Sequence, residues 1–221
     1  MSAEIDLTCD GVLFDCDGVL VDSTESGERA WTRWASEFGL DPTRVLDGVH
    51  GRRSTETVNL FLPVDLHAQG LQRIEAIEIE GAATTMPIAG AGRLLKTLPA
   101  NWAVVTSASE ALVKARLDAA ALPTPPVLIS ADDVTIGKPA PDGYLQAAAR
   151  LGFAIDRCAV VEDSPAGVRA GLQAGALHIV GVGERALSTE ASIVVRDLTG
   201  IRWSYGALRL NDNLLRYAAH S

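Results

Sequence analysis

With 221 residues and 48% hydrophobic content, the chain is long enough to bury a full core, which fits one domain with a sizeable insertion or two small domains. The formal net charge of −9 argues against nucleic-acid binding, because the phosphate backbone requires a basic surface. No apolar run approaches the roughly 20 residues that span a bilayer, and the first residues are acidic, so we expect no membrane partner and a cytoplasmic location.

The three cysteines, Cys9, Cys16 and Cys158, are too few and too scattered for a disulfide framework. None of them belongs to a Cys-x-x-Cys metal pair. Cys16 lies beside two carboxylates, but nothing in the sequence marks it as activated, so we interpret it as a small buried side chain.

The first predicted element is a buried strand over Gly11–Phe14, which ends in Asp15, with Asp17 and Gly18 close behind. Ligands of open α/β sheets bind just beyond the carboxyl ends of the strands. Two carboxylates at this edge therefore indicate a hard metal ion. The alternative is an ordinary strand followed by an Asp-Gly turn.

Helical periodicity replaces the strand pattern after Ser23. An amphipathic helix is predicted first, with Gly39 as its stop, and its inward stripe consists of Ala30, Trp31, Trp34, Ala35 and Phe38. Shorter helices are predicted from Asp41-Pro42 and from Ser54, and a longer one spans 66–82 with Leu71, Ile74, Ile77 and Ile79 facing inward. Because no strand pattern interrupts 24–86, we predict a small helical module inserted after the first strand.

Strands and helices alternate from residue 87 onward. Strands are predicted over 102–106, 127–129, 159–161, 178–180 and 193–195, and helices over 89–98, 109–121, 142–151 and 165–174. This alternation indicates parallel pairing with right-handed crossovers. We therefore predict an α/β fold with a doubly wound, parallel, Rossmann-like sheet built from 1–23 and 87–221. The tail 196–221 forms either a short hairpin around Tyr205-Gly206 or a segment packed over an edge.

Polar residues also stand at the end of the second predicted strand of the chain, at Thr106 and Ser107. Ser107 and Glu110 fit a capping box, so the next helix would present free backbone amides beside the Thr106 hydroxyl. These groups are typical phosphate ligands. The alternative is an ordinary helix cap without a ligand.

One lysine lies in a loop that two prolines stiffen, in the string Gly137-Lys138-Pro139-Ala140-Pro141. A loop lysine is usually solvated, but the flanking prolines restrict its backbone and favour a positioned cation.

The strand that follows Lys138 repeats the plan of the first, since its apolar run ends in Glu162 and Asp163. Adjacent carboxylates at a strand end repel one another, and a divalent ion relieves that repulsion. In the next helix Gly167, Gly171 and Gly175 recur every four residues, which we interpret as close packing of that helix on the sheet.

Four motifs in this order resemble those of the haloacid dehalogenase-like hydrolases: Asp15 to Ser23, Thr106-Ser107, Lys138 with its prolines, and Glu162-Asp163. The resemblance covers nearly the whole chain, and the helical insertion is similar to the small cap domain of the phosphoglycolate phosphatase-like and β-phosphoglucomutase-like branch. WAVVTS, ADDVTIGKPAPDGY and EDSPAGVRAG look closest to glycerol-3-phosphate and 2-deoxyglucose-6-phosphate phosphatases.

The resemblance implies a Mg²⁺-dependent phosphatase that hydrolyses small sugar or polyol phosphates through an aspartyl-phosphate. Asp15 would be the nucleophile and Asp17 the general acid and base, while Thr106 and Lys138 hold the equatorial oxygens of the phosphoryl group. The expected Mg²⁺ ligands are Asp15, the Asp17 backbone carbonyl and Asp163, with Glu162 bound directly or through water. The expected partner is a small phosphorylated metabolite, and the expected state is a monomer or a weak dimer.

Substrate specificity is expected to come from the cap, where His50, Arg52 and Arg53 form a cationic loop, with Ser107 completing the substrate site. The alternative is a solvated basic loop before a helix. Two other functions stay open: a β-phosphoglucomutase-type mutase, and a non-catalytic binding protein of the same fold. Hydrolysis is favoured over the mutase because Gly27 stands where the resemblance places a mutase histidine.

Overall fold

The computed structural model describes residues 4–47, 49, 52–211 and 213–217. Within these residues the chain forms twelve strands and eight α-helices. The strands are β1 (Ile5–Thr8), β2 (Gly11–Phe14), β3 (Val21–Asp22), β4 (Met86–Pro87), β5 (Trp102–Val105), β6 (Val127–Ile129), β7 (Cys158–Glu162), β8 (His178–Val182), β9 (Ile193–Val195), β10 (Ile201–Ser204), β11 (Ala207–Leu210) and β12 (Leu214–Tyr217). The helices are α1 (Thr24–Glu37), α2 (Pro42–Leu46), α3 (Ser54–Phe61), α4 (His67–Ala82), α5 (Ala91–Thr97), α6 (Glu110–Ala119), α7 (Asp142–Leu151) and α8 (Pro165–Ala174).

The central sheet has the strand order β12-β9-β8-β7-β2-β5-β6. All neighbours pair in parallel except β12, which runs antiparallel to β9. From β2 the chain winds outward to β5 and β6, and it then returns to β7 on the other side of β2. The predicted doubly wound α/β fold is confirmed, and the point where the winding reverses lies between β2 and β7, where such folds bind their ligands.

Alternating side chains of the buried strands supply two hydrophobic clusters. Val12 and Phe14 pack in the cluster that includes α5 and α6, and Leu13 packs in the cluster that includes α7 and α8. Every residue of β2 is buried, as a strand covered on both faces requires. The strand that delivers Asp15 is therefore held by the packing of two layers.

Helices α1 to α4 form a helical unit between β3 and β4 with a hydrophobic cluster of its own. Trp34 is fully buried there, and its indole Nε1 donates to the carbonyl of Gly70 at 2.9 Å. The chain enters and leaves the unit through the antiparallel pair β3–β4, in which Val21 faces Pro87. The two segments that connect the helical unit to the rest of the chain therefore lie side by side.

One inward position in α4 was predicted incorrectly. Ile74 and Ile77 are buried as expected, but Ile79 is 39% exposed. At about 100° per residue, position 78 lies near the direction of Ile74 and position 79 turns away from it. The buried residue at this turn is Glu78, whose side chain is only 9% exposed.

The amino terminus and the tail form a second sheet, in the order β1-β11-β10. The predicted hairpin around Tyr205-Gly206 is confirmed, since these residues join β10 to β11. Strand β1 was not predicted, and it pairs with β11 from the far end of the chain. Among the described residues, no helix is both long enough and apolar enough for a membrane span.

Candidate active site

The candidate site lies where β2 and β7 end side by side at the reversal of the sheet. Asp15 follows β2, and its backbone N–H donates to the carbonyl of Val161 at 2.9 Å. This bond extends the strand pairing by one residue and fixes the direction of the Asp15 side chain, which is almost entirely buried.

Lys138 reaches Asp15 from the loop before α7. Its ammonium donates to Oδ1 of Asp15 at 2.6 Å, to Oε1 of Glu162 at 2.7 Å and to the carbonyl of Val105 at 3.0 Å. Burial acts to lower the pKa of Lys138, but the two carboxylates outweigh it and leave this pKa well above its usual value. The structure thus brings a permanently charged cation onto the Asp15 carboxylate.

Glu162 is fully buried, and both of its oxygens carry hydrogen bonds. Oε1 accepts from Lys138 at 2.7 Å and from the Tyr144 hydroxyl at 3.0 Å. Oε2 accepts from the backbone N–H groups of Asp163 and Ser164 at 2.8 and 2.9 Å, and from the Ser164 hydroxyl at 3.1 Å. Burial acts to raise the pKa of Glu162, but these donors, Lys138 first among them, hold it below its ordinary value.

The acidic cluster fits a divalent cation. Asp15, Glu162 and Asp163 each offer a carboxylate oxygen, and the three oxygens lie within 4.8 Å of one another. Burial and the neighbouring Glu162 raise the pKa of Asp163 to about 7. Burial also raises the pKa of Asp15, with Glu162 and Asp163 adding to the shift and Lys138 opposing it. A divalent ion relieves repulsion of this kind, and carboxylate oxygens are the ligands that Mg²⁺ prefers.

Arg185 is a charged residue at the cleft that the sequence analysis missed. It lies in a short 3-10 helix after β8, and its Nη1 is 3.3 Å from Oδ2 of Asp163. Nothing in its local pattern distinguishes it from other surface arginines.

Asp17 is held from two sides while its carboxylate borders the cleft. The Ser23 hydroxyl donates to Oδ1 at 2.5 Å, and Nη1 of Arg116 lies 3.0 Å from the same carboxylate. The other terminal nitrogen of Arg116 donates to Oε1 of Glu78 at 3.1 Å. Burial acts to lower the pKa of Arg116, yet Asp17 and Glu78 together raise it.

Arg116 and Glu78 were also not predicted as site residues, although the sequence around each of them contains a signal. Arg116 lies in α6 between the buried Val113 and Leu117, and Glu78 follows the buried Ile77 in α4. A charged residue within an apolar helical stripe indicates a buried polar partner.

Thr106 and Ser107 lie beside this cleft, but the predicted capping box is wrong. The N-cap of α6 is Ser109, whose hydroxyl accepts from the N–H of Leu112 at 3.3 Å. Thr106 Oγ1 accepts instead from the N–H of Ala108 at 3.1 Å. The helix begins two residues later than the capping box implied, because the intervening residues form a turn that keeps Thr106 at the strand end.

The structure separates the residues of the predicted cationic loop. Arg52 is exposed and lines the cleft. Arg53 bonds to Glu56 at 2.9 Å and to the carbonyls of Val134 and Thr135 at 3.3 and 3.1 Å. Arg53 therefore joins the helical unit to the loop that leads to Lys138, while His50 lies outside the described residues.

The cleft between the helical unit and the sheet edge has a cavity volume of about 100 Å³. Its floor is formed by the carboxyl ends of the strands. The residues that line it include Asp15, Asp17, Gly27, Arg52, Glu78, Thr106, Ser107, Arg116 and Asp163. Charged groups of both signs therefore surround a space suited to a small polar molecule.

The prediction of close packing on the sheet is confirmed for two of the three glycines. A Cβ at Gly171 would lie 2.8 Å from Ile179 of β8. A Cβ at Gly167 would lie 1.5 Å from Oε1 of Glu162, the last residue of β7, and would displace that carboxylate. Gly175 lies beyond the helix as its left-handed C-cap, with φ 81°.

Cys16 is fully buried next to the two aspartates. Burial, followed by the charges of Asp17 and Asp15, raises the pKa of its thiol well above the usual value. The thiol therefore stays protonated and unreactive, as the sequence analysis expected.

Comparison with known proteins tests the resemblance. The model of the haloacid dehalogenase-like hydrolases matches residues 9–175. Hexitol phosphatase A of Escherichia coli (strain K12) is 44% identical over 185 residues, which cover 80% of this chain and 84% of that protein. 2-Deoxyglucose-6-phosphate phosphatase 1 of Saccharomyces cerevisiae is 32% identical over 197 residues, covering 79% and 80%.

A solved structure shows the same fold. The crystal structure of β-phosphoglucomutase from Clostridium difficile superposes with a TM-score of 0.76 at 20% identity, over 86% of this chain and 92% of that chain. Because the family model matches residues 9–175, three quarters of the chain, the chain belongs to the haloacid dehalogenase-like hydrolase family.

Proposed function

We propose that this protein is a Mg²⁺-dependent phosphatase that hydrolyses small sugar or polyol phosphate monoesters through an aspartyl-phosphate. The observation that carries the proposal is Asp15, which lines the cleft together with Asp17 and accepts a hydrogen bond from the buried Lys138 at 2.6 Å. The names of the relatives, a hexitol phosphatase and a 2-deoxyglucose-6-phosphate phosphatase, support the substrate class.

Asp15 acts as the nucleophile and attacks phosphorus in line with the ester oxygen. Lys138 reduces the repulsion between the carboxylate and the incoming phosphate, because its ammonium already lies against Asp15. Thr106 and Ser107 line the same cleft and donate to the equatorial oxygens, on which negative charge spreads in the transition state.

Asp17 protonates the departing alkoxide and then accepts a proton from the water that cleaves the aspartyl-phosphate. This task requires a carboxylate with fixed direction, which the bonds from Ser23 and Arg116 provide. A general acid and base of this kind contributes about 10²- to 10⁴-fold to the rate.

Asp15, Asp163 and the Asp17 backbone carbonyl would hold Mg²⁺. When bound, the ion supplies positive charge that offsets the repulsion between carboxylate and phosphate. Glu162 belongs to the same acidic cluster, but its two oxygens already accept five hydrogen bonds. We therefore assign Glu162 contact with the ion through water, and a structural role in holding Lys138.

The helical unit, within the bounds 24–86, acts as a cap that selects the alcohol part of the substrate. Arg52 lines the cleft from this unit, and we assign it to contact with the substrate. The same role is assigned to His50 from the sequence alone. Arg53 is engaged with the loop of Val134 and Thr135, so we assign it to holding the cap on the core.

The test is phosphate release from a panel of sugar and polyol phosphates, with and without EDTA. We expect release with Mg²⁺, loss of release in EDTA, and no turnover by the Asp15→Asn variant, which should keep its fold. The matched control is Asp118→Asn, which changes an exposed carboxylate on α6 and should retain full activity. Turnover by Asp15→Asn would refute the nucleophile, and inactivity of the wild type on the whole panel would favour a binding protein.

A further inference from the structure

We propose that Arg116 is a positioning residue that couples the seating of the helical unit to the orientation of Asp17, through Glu78. The inference rests on the proposed function, in which Asp17 is the general acid. In this arrangement the direction of the Asp17 carboxylate depends on Glu78, which belongs to the cap.

Arg116 is the buried, central member of a triad with Glu78 and Asp17. Its side chain is 6% exposed, that of Glu78 is 9% exposed, and that of Asp17 is 31% exposed. One terminal nitrogen is 3.0 Å from Asp17 and the other is 3.1 Å from Glu78. The guanidinium is a rigid fork, so the place of Glu78 constrains the direction in which the other nitrogen meets Asp17.

The three residues come from three separate parts of the fold. Asp17 follows β2 at the sheet edge, Arg116 lies in α6 of the sheet layer, and Glu78 lies in α4 of the helical unit. Helix α4 packs against α6, so the contact between Arg116 and Glu78 exists only while the unit is seated on the core. Displacement of α4 would leave Arg116 with Asp17 alone and free to rotate.

A purely structural ion pair would need only Arg116 and Glu78. The third partner is the side chain that must donate a proton to the leaving group. The Ser23 hydroxyl, at the entry to the helical unit, donates to Oδ1, and Nη1 of Arg116 lies 3.0 Å from both carboxylate oxygens. Both oxygens are thus oriented by groups at the junction of cap and core, so Asp17 is aligned only when that junction is closed.

The dependence of kcat/KM on the leaving group distinguishes a misoriented general acid from a general loss of activity. An alkyl phosphate needs protonation of its leaving oxygen, whereas para-nitrophenyl phosphate releases a stabilised anion and needs little. The ratio kcat/KM reports the first phosphoryl transfer, before water enters. Misorientation of Asp17 should therefore reduce kcat/KM for the alkyl ester selectively.

The experiment measures kcat/KM for glycerol phosphate and para-nitrophenyl phosphate in four single variants and one double variant. We expect Arg116→Met to lose about 30- to 100-fold on glycerol phosphate and less than about 5-fold on para-nitrophenyl phosphate. Arg116→Lys should recover part of the loss, and Glu78→Gln should lose about 3- to 10-fold on glycerol phosphate alone. The matched control is Glu80→Gln, which changes an exposed ion pair with Arg33 on the same helix.

Each outcome decides the question. Equal losses on both substrates, or no loss in Glu78→Gln and Arg116→Lys, would overturn the coupling while leaving the proposed function intact. Additive losses in the Glu78→Gln/Arg116→Met double variant would also overturn it, since residues acting in one chain are non-additive. A wild type inactive on both esters would overturn the proposed function and the coupling with it. Arg116→Lys and Glu78→Gln keep the test valid if Arg116→Met does not fold.

Discussion

Lys138 and Glu162 form a buried ion pair, with Nζ 2.7 Å from Oε1, directly beneath the contact between Lys138 and Asp15. The ammonium therefore has a fixed partner on the side away from the cleft. Glu162 is in turn held by the first N–H groups of the turn into α8 and by the Tyr144 hydroxyl. The position of the cation at Asp15 is thus set by the protein before any phosphate enters.

Replacing Glu162 by Gln should damage both stability and catalysis. An amide cannot satisfy Lys138 and two backbone N–H groups at once, so one buried donor loses its acceptor. We expect the free energy of unfolding to fall by about 3 to 5 kcal/mol, as for other broken buried pairs. Phosphate release should fall at least about 10-fold, because Lys138 is no longer anchored.

The control for this prediction is Glu110→Gln, which removes an exposed partner of Lys114 on α6. An exposed pair contributes at most about 1 kcal/mol, so this variant should resemble the wild type. Urea unfolding and phosphate release measure both effects. If Glu162→Gln lost as little stability and activity as Glu110→Gln, the buried pair of Lys138 and Glu162 would not be what holds the site.

Asp163 should make the stability of the metal-free protein depend on pH. Its pKa rises from 3.8 to about 7 on folding, so between these values the folded state binds a proton that the unfolded state has lost. The free energy of unfolding therefore falls as the pH rises through this window. We expect the Tm in EDTA to decrease from pH 5 to pH 8.

The Asp163→Asn variant should show a clearly smaller decrease of Tm with pH, and the residual slope belongs to Asp15 and Glu78, whose pKa values are also raised by burial. Saturating Mg²⁺ should flatten the wild-type curve, because the ion binds the ionised carboxylates in place of protons. A slope in Asp163→Asn equal to that of the wild type would exclude Asp163 as its source.

The sheet and its acidic edge could be predicted because their signals are local. An apolar run that ends in Asp15, and another that ends in Glu162, each contain the strand and the functional group within a few residues. Parallel pairing then brings the two strand ends together, as the register of β2 on β7 shows.

The missed features depend on partners far away in the chain. Strand β1 is short and half exposed, and it pairs with β11 across about two hundred residues. Arg116 meets Glu78 only because α4 packs on α6, and it meets Asp17 only because α6 lies beside the end of β2, which no local pattern specifies. The capping-box prediction was wrong for another reason. Ser107 and Ser109 are equally good N-cap residues, and the turn after Thr106 makes Ser109 the N-cap.

Two helix glycines should respond in opposite ways to alanine. A Cβ at Gly27 in α1 would meet nothing within 4 Å, whereas a Cβ at Gly70 in α4 would lie 2.5 Å from Leu62 and 3.0 Å from Val58. We expect Gly27→Ala to stabilise the fold by up to about 1 kcal/mol through helix propensity. Gly70→Ala should destabilise it by about 1 to 3 kcal/mol through overpacking. The Tm of each variant measures these effects, and equal changes of Tm in Gly27→Ala and Gly70→Ala would contradict the prediction.

Arg52 and Arg53 should differ in which kinetic parameter they affect. Arg52 lines the cleft, so Arg52→Ala should raise KM and change the ranking of substrates. Arg53 holds the loop that precedes Lys138, so Arg53→Ala should lower kcat for all substrates by a similar factor. The panel of sugar and polyol phosphates measures both effects. Unchanged kcat/KM in both variants would exclude this loop from the function.

Water should reach the aspartyl-phosphate readily, so the reaction should end in hydrolysis rather than in transfer back to a sugar. The helix α1 passes the cleft at Gly27, and this position carries no side chain that gates Asp17 or contacts the substrate. We expect inorganic phosphate to be released in a 1:1 ratio with the alcohol, and no dependence on a bisphosphate activator. Faster conversion of β-glucose 1-phosphate to glucose 6-phosphate than phosphate release would show a mutase. The Gly27→His variant completes the test. A Cβ at position 27 meets nothing within 4 Å, and an imidazole at this edge of the cleft should slow phosphate release.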